Sequence, residues 1–187
     1  STVNLNDCEI LGTFTKSGGA VAVINGTVNM NRCIVADNYT DGDGAGGLLF
    51  AGDANPTHAN LSNCTFFGNE SANGGSGLGV YGSSTATIVN SIVTNLPLGN
   101  DLYSEGGVIT TSFSIYSGSE LPREVSVGDG VIFGAPKLVD PVGGDFSLRE
   151  ISPCIDAGDR ASPQDPDGTT TDMGAIFFDQ TPVTGLF

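Results

Sequence analysis

Asp165, Asp167 and Asp172 are the side chains of this 187-residue sequence whose spacing best suits a chemical task. They stand in Asp165-Pro166-Asp167-Gly168, with Asp172 close behind. Alternating acids ahead of a glycine place oxygen ligands on one side of a tight turn, as a calcium loop requires. With 6 basic against 21 acidic side chains, the net charge of −15 also favours a divalent cation. Ca2+ at Asp165, Asp167 and Asp172 is therefore the one cofactor these residues suggest. The full EF-hand pattern and its closing glutamate are missing. The simpler reading is an Asx-turn loop that closes the last structural unit.

A second acidic group, Asp41, Asp43 and Asp53, lies in two turn segments, Asp41-Gly42-Asp43-Gly44 and Gly52-Asp53-Ala54-Asn55-Pro56. Such carboxylates serve glycoside hydrolysis as a pair or bind calcium, and Tyr39 beside them offers an aromatic face for a sugar. Tyr39, Asp41, Asp43 and Asp53 are thus a candidate ligand loop. Asp-Gly is also a turn signal in itself, which makes solvated turn acids the plainer alternative. A polysaccharide lyase needs a base or cation beside its substrate. Lys16, Arg32 and His58 form no recognisable constellation for it, so no catalytic residue is assigned. Six cations cannot neutralise a phosphate backbone, which excludes nucleic acid as a partner. No run of apolar residues is long enough for a membrane-spanning helix.

The elements that carry these groups follow from a repeat. Leu5-Asn6-Asp7-Cys8-Glu9-Ile10 returns as Met30-Asn31-Arg32-Cys33-Ile34-Val35, then as Leu61-Ser62-Asn63-Cys64-Thr65-Phe66. Ile88-Val89-Asn90-Ser91-Ile92-Val93 and Thr111-Ser112-Phe113-Ser114-Ile115-Tyr116 continue it. The Cys/Ser positions 8, 33, 64, 91 and 114 are separated by steps of 25, 31, 27 and 23. Gly-Gly pairs at 18, 46 and 74 precede a second apolar run in the early copies. Units of this size hold short strands and cannot bury an apolar face alone. Stacked in parallel, they bury a continuous column.

Cys8, Cys33 and Cys64 then fall at one position of successive coils, about 4.8 Å apart. That favours a stack of small interior side chains, though a disulfide between neighbouring coils stays open. Asn38 and Asn69, each five residues past their Cys, suit the corner where a coil turns, and predict an asparagine turn ladder. They also open two of the five Asn-x-Ser/Thr sequons, at 25, 38, 60, 63 and 69.

These blocks resemble the right-handed parallel β-helix repeats of bacterial secreted and surface proteins, the pectate-lyase-like superfamily in its broad sense. The C-terminal series is more specific: Ala135-Pro136-Lys137-Leu138-Val139-Asp140-Pro141, Gly144-Asp145-Phe146-Ser147-Leu148, Ser152-Pro153-Cys154-Ile155-Asp156-Ala157-Gly158 and Asp172-Met173-Gly174-Ala175-Ile176. It is similar to the end of the β-helix domains known as choice-of-anchor Q. The resemblance implies export and a parent chain with further coils before residue 1. The segment 86–107, with Pro97 and no clean Gly-Gly strand, departs from the pattern.

The expected fold is all-β: a right-handed, single-stranded parallel β-helix of about five to seven coils with an irregular C-terminal cap. Residues 1–133 form the coils, and 134–187 the last coil and the capping segment of the same domain. The expected function is a non-catalytic extracellular module, a rigid stalk, adhesin or matrix component of a larger exported protein. Its partners would be other coils or domains of that chain, glycans, or further copies joined end to end through open strand edges. The alternative is a β-helix fragment that binds or cleaves polysaccharide.

Overall fold

Apolar runs of a few residues, split by Gly, Asn and Asp, fold into short strands that pair with the same run of the next repeat. The computed structural model of the protein describes residues 1–42, 44–72, 75–94 and 101–182. The first unit contributes β1 (Thr2–Asn6), β2 (Glu9–Leu11), β3 (Phe14–Thr15) and β4 (Val21–Ile24). The second contributes β5 (Thr27–Asn31), β6 (Ile34–Ala36), β7 (Tyr39–Thr40) and β8 (Leu48–Ala51). The third holds β9 (His58–Ser62), β10 (Thr65–Phe67), β11 (Glu70–Ser71) and β12 (Leu78–Tyr81). Then come β13 (Thr85–Val89), β14 (Ile92–Thr94) and β15 (Leu102–Glu105), followed by β16 (Val108–Ser112) and β17 (Ile115–Tyr116), and by β18 (Val125–Val127) and β19 (Ile132–Phe133). A short hairpin, β20 (Leu138–Asp140) and β21 (Asp145–Leu148), completes the described strands.

The chain is all-β, with stacked parallel strands. β1-β5-β9-β13-β16-β18 form the first sheet and β2-β6-β10-β14-β17-β19 the second. β3-β7-β11 form a third and β4-β8-β12-β15 a fourth. Among the described strands, β20 and β21 pair antiparallel with each other. Each of the first three units sends one strand to each sheet in turn, and the later units continue the first two sheets, an arrangement consistent with a parallel β-helix. β15 joins the fourth sheet in register with β12 although it belongs to the irregular segment 86–107; Pro97 of that segment lies outside the described residues.

Register is kept residue for residue, so like side chains stack. Val28, Ala59, Ala86 and Ile109 line one inward row of the first sheet, and Met30, Leu61 and Ile88 the next. Val35, Phe66, Val93 and Tyr116 face the same core from the second sheet. The other face of that sheet is buried too. Ile34, Ile92 and Ile115 pack there against Leu138, Phe146, Leu148, Cys154 and Met173. The irregular segment past Gly134 thus lies along the outside of the second sheet. Consecutive apolar residues in its strands are the cause, since a strand apolar on both faces must be covered on both.

The corner between the first two sheets is built once per unit. Asp7, Arg32, Asn63, Asn90 and Phe113 each take a left-handed φ of 46–51°, which turns the chain within two residues. The Cys or Ser that follows donates to the carbonyl two residues back, from Cys8 to Asn6, Cys64 to Ser62, Ser91 to Val89 and Ser114 to Ser112. Its hydroxyl also accepts the corner N–H of the preceding rung: Cys64 N–H to Ser91 Oγ and Ser91 N–H to Ser114 Oγ, both 3.1 Å. All four cysteines are free thiols, with Cys33 and Cys64 buried in this column. The hydrogen bond with Cys33, and then burial, push the Cys64 thiol well up.

The asparagine ladder is present, with one difference from expectation. The left-handed residue is the one before each ladder position, Gly12, Asp37 and Gly68. Asn38 and Asn69 are instead buried and reach between rungs. Asn69 Oδ1 accepts the Asn38 side-chain amide at 2.9 Å, and its Nδ2 donates to the Val35 carbonyl at 2.8 Å. Asn38 Oδ1 accepts from the Thr13 N–H and hydroxyl, and its Nδ2 donates to the Ile10 carbonyl. Buried side chains so committed are closed to glycan attachment at both sequons. The Gly-Gly pairs mark close backbone approach. A Cβ on Gly19 would lie 2.8 Å from the Ala45 and Gly47 carbonyl oxygens, and one on Gly46 or Gly47 would collide with the carbonyl of Glu70 or Gly77.

Replacing Ser91 by Ala leaves the buried Cys64 N–H without its acceptor, so Ser91→Ala should cost about 1–3 kcal/mol in urea unfolding. Ser91→Cys, the residue found at this position in three other rungs, should cost less. Equal losses for the two variants would show that the hydroxyl is not the acceptor that matters.

Candidate functional site

Asp165, Asp167 and Asp172 come together in the C-terminal segment, and each turns its carboxylate onto main-chain donors. Asp172, 1% exposed, accepts the Asp156 N–H on Oδ1 at 2.7 Å and the Phe178 N–H on Oδ2 at 2.6 Å. Asp165 Oδ2 accepts the Asp172 N–H at 2.8 Å. Asp167 Oδ1 takes both the N–H and the hydroxyl of Thr169, while Oδ2 takes the Gln180 N–H at 2.9 Å. The three acids thereby fold residues 156–180 onto themselves. Among the described residues, no group of three or more His, Cys, Asp or Glu side chains is arranged to hold a metal ion.

Their surroundings shift them in opposite directions. Burial pushes the Asp165 and Asp172 carboxyls up, and their acidic neighbours add to it. The Gln180 N–H, helped by Thr169, holds Asp167 below its ordinary value.

The second candidate group is not gathered into one place. Tyr39 opens β7 and stacks on Phe14, ring centroids 5.4 Å apart. Asp41 follows in the exposed turn ahead of β8. Asp53 is exposed beyond the far end of β8, beside Gly82 of the next unit. A four-residue strand, roughly 13 Å long, therefore separates the two turns. Asp43 lies outside the described residues. His58 is on the outer face of the first sheet, its Nδ1 3.0 Å from the Thr85 hydroxyl. Arg32 sits past the other end of the paired strand β5, and the two side chains share no site.

One constellation was not singled out from the sequence: the column of left-handed corner residues. Asn63 Nδ2 donates to the Thr171 hydroxyl and the Asp172 carbonyl, both 3.1 Å away. Asn90 Oδ1 accepts the Asp159 N–H at 2.8 Å, and its Nδ2 donates to Ser162 at 2.9 Å. These two asparagines clamp the C-terminal segment across the third and fourth rungs, helped by Ala175 N–H on Thr65 Oγ1. In the first two rungs the column holds charges instead. Arg32 Nε and Nη2 pair with the two oxygens of Asp7 at 2.6 and 3.0 Å, which holds the Asp7 carboxyl below its usual range.

Where the clamped segment meets the corner column lies a cleft of about 420 Å3, its walls including Asn31, Arg32, Asn63, Gln164, Asp165 and Phe177. The available signal was positional: Asp7, Arg32, Asn63, Asn90 and Phe113 each precede the repeating Cys or Ser. No protein-family model, no curated protein and no solved structure matches the chain.

The shifts have opposite signs for stability. A carboxyl raised by folding, like Asp165, adds stability at low pH that is lost as pH rises through its folded value. One that is lowered, like Asp167, adds stability above the ordinary carboxylate range that is lost as pH falls. Asp165→Asn should therefore melt higher than the parent at about pH 7 and lose the advantage below about pH 3. Asp167→Asn should melt lower at about pH 7, the gap closing as the pH falls. Thermal melts across this range check both, and opposite signs would contradict the assigned environments.

Proposed function

We propose that the chain is a right-handed parallel β-helix acting as a rigid, non-catalytic module of an exported protein. The observation that carries this reading is the in-register side-chain ladder that bonds each rung to the next. Cys and Ser at one corner and Asn at the other tie neighbouring units together at points where sheet pairing stops. A stack so joined has little freedom to bend between rungs, which is what a spacer or stalk requires. The sequence features similar to choice-of-anchor Q domains and the net charge of −15 support an extracellular setting.

The edge of the first unit suits a further rung. β1, β2, β3 and β4 are the end strands of their sheets. Phe14 and Ile24 there are 66% and 63% exposed, beside exposed Val3 and Leu11. Parallel edges with apolar side chains accept another strand of the same pattern. The occupant on this reading is a second copy of the chain.

The enzymatic test is direct. Incubation with pectin, alginate, xylan and chitin fragments, with and without millimolar calcium, should release no reducing ends and no unsaturated products. Release from any of them would overturn the non-catalytic reading. The same samples address the cation: calcium should leave the melting temperature unchanged, whereas a rise abolished by Asp167→Asn would assign a calcium site to Asp165, Asp167 and Asp172. For the edge, sedimentation over a wide concentration range should show association that Phe14→Glu and Ile24→Lys remove. A monomer throughout would contradict self-association.

A further inference from the structure

The cleft at the second and third corners lies between two walls that the protein's own hydrogen bonds hold in place. One wall belongs to the stacked rungs. The other is the C-terminal segment, held in place by Asn63 and Asn90 and by the carboxylates of Asp165, Asp167 and Asp172. Both walls exist before a ligand arrives, so little ordering would oppose binding. At about 420 Å3 the cleft falls within the roughly 300–1,000 Å3 of small-molecule sites.

The polar groups on its walls have capacity left. Asn31 Oδ1 accepts the Ser62 hydroxyl at 3.1 Å, which leaves its amide N–H groups as donors. Arg32 spends Nε and Nη2 on Asp7 and retains Nη1. Gln164 is exposed, with both an acceptor and donors. Asp165 Oδ1 has only the long 3.5 Å contact from the Thr171 hydroxyl. Phe177 is half-buried, and Pro163 and Pro166 stand beside it as apolar faces. Donors, acceptors and flat apolar surfaces interleaved in this way match a molecule with hydroxyls on its rim and C–H groups on its faces.

Charge narrows the class. The one guanidinium is already neutralised by Asp7, and a carboxylate faces the same space. On a chain of net charge −15, an acidic ligand would be repelled. We infer that this cleft, walled by Asn31, Arg32, Asn63, Gln164, Asp165 and Phe177, binds a neutral saccharide unit. The inference goes beyond the rigid-module reading and does not need it, since a stalk with or without catalysis elsewhere can carry a sugar site.

The test is an amide and side-chain NMR titration with three neutral probes, cellobiose, maltose and diacetylchitobiose, and with digalacturonic acid as the charged comparator. At least one neutral probe should give saturating shifts at Asn31, Arg32, Gln164 and Phe177, with an affinity of roughly millimolar. The double variant Gln164→Ala/Phe177→Ala alters exposed or half-exposed side chains and should keep the parent spectrum elsewhere while weakening that affinity by about tenfold or more. Absence of saturable shifts with every neutral probe overturns the inference. So do shifts centred on the Tyr39 and Asp41 turn, or tighter binding of digalacturonic acid. Cleavage of a probe would show as new anomeric signals in the same spectra, which separates failure of the non-catalytic reading from failure of this one.

Discussion

Every inner rung of this protein has to turn sharply while buried between two other rungs, and the polar groups released at the turn must find partners there. Strand pairing satisfies the flat parts of each unit but stops at the corners. A buried N–H or carbonyl left alone at such a point would cost more than a typical hydrogen bond gains. The chain meets this constraint with two side-chain columns. At one corner the Cys or Ser side chain caps its own turn, and Ser91 and Ser114 also take the N–H of the rung before. At the other, Asn38 and Asn69 each accept from, and donate to, the preceding rung. No buried side-chain nitrogen or oxygen among the described residues lacks a partner.

The residue just before each Cys or Ser inherits a different role. Its left-handed backbone carries its side chain into a column of its own, which is not needed for the stack itself. That column is therefore where the rungs differ: a charge pair at Asp7 and Arg32, clamps at Asn63 and Asn90, an aromatic ring at Phe113. The clamps, with the apolar outer row Ile34, Ile92 and Ile115, fix the C-terminal segment along the second sheet. The cleft lies where the corner column and the clamped segment meet. Structure comes from the side chains that repeat, and individuality from those that vary.

Much of the stack was legible in the sequence. The steps of 25, 31, 27 and 23 residues between Cys/Ser positions reappear as the sequence separations across the sheets, because parallel pairing in register preserves them. The Gly-Gly pairs at 18 and 46 were legible as a recurring mark ahead of the second apolar run, and in the structure they are points of close backbone approach. The path of the C-terminal segment was only half-written: Ile34-Val35, Ile92-Val93 and Ile115-Tyr116 are apolar on both faces, yet nothing in that pattern says what covers the outer one. The cleft was not legible at all. It is made by contacts such as Asn63 to Thr171 and Thr65 to Ala175, separated by more than a hundred residues, and local spacing carries no record of them. Likewise Asp165, Asp167 and Asp172 read as ligands by their alternation, whereas their hydrogen bonds to main-chain N–H groups follow from how the loop closes.

The central claim is that side chains at the corners, and not strand pairing alone, join the rungs. Residue-resolved amide hydrogen exchange tests it most directly. The amides of Cys64 and Ser91, whose acceptors are the Ser91 and Ser114 hydroxyls, should exchange as slowly as the strand amides of Phe66 and Val93 beside them. Exchange of these two amides at the rate of exposed turns, while the strands stay protected, would contradict the account.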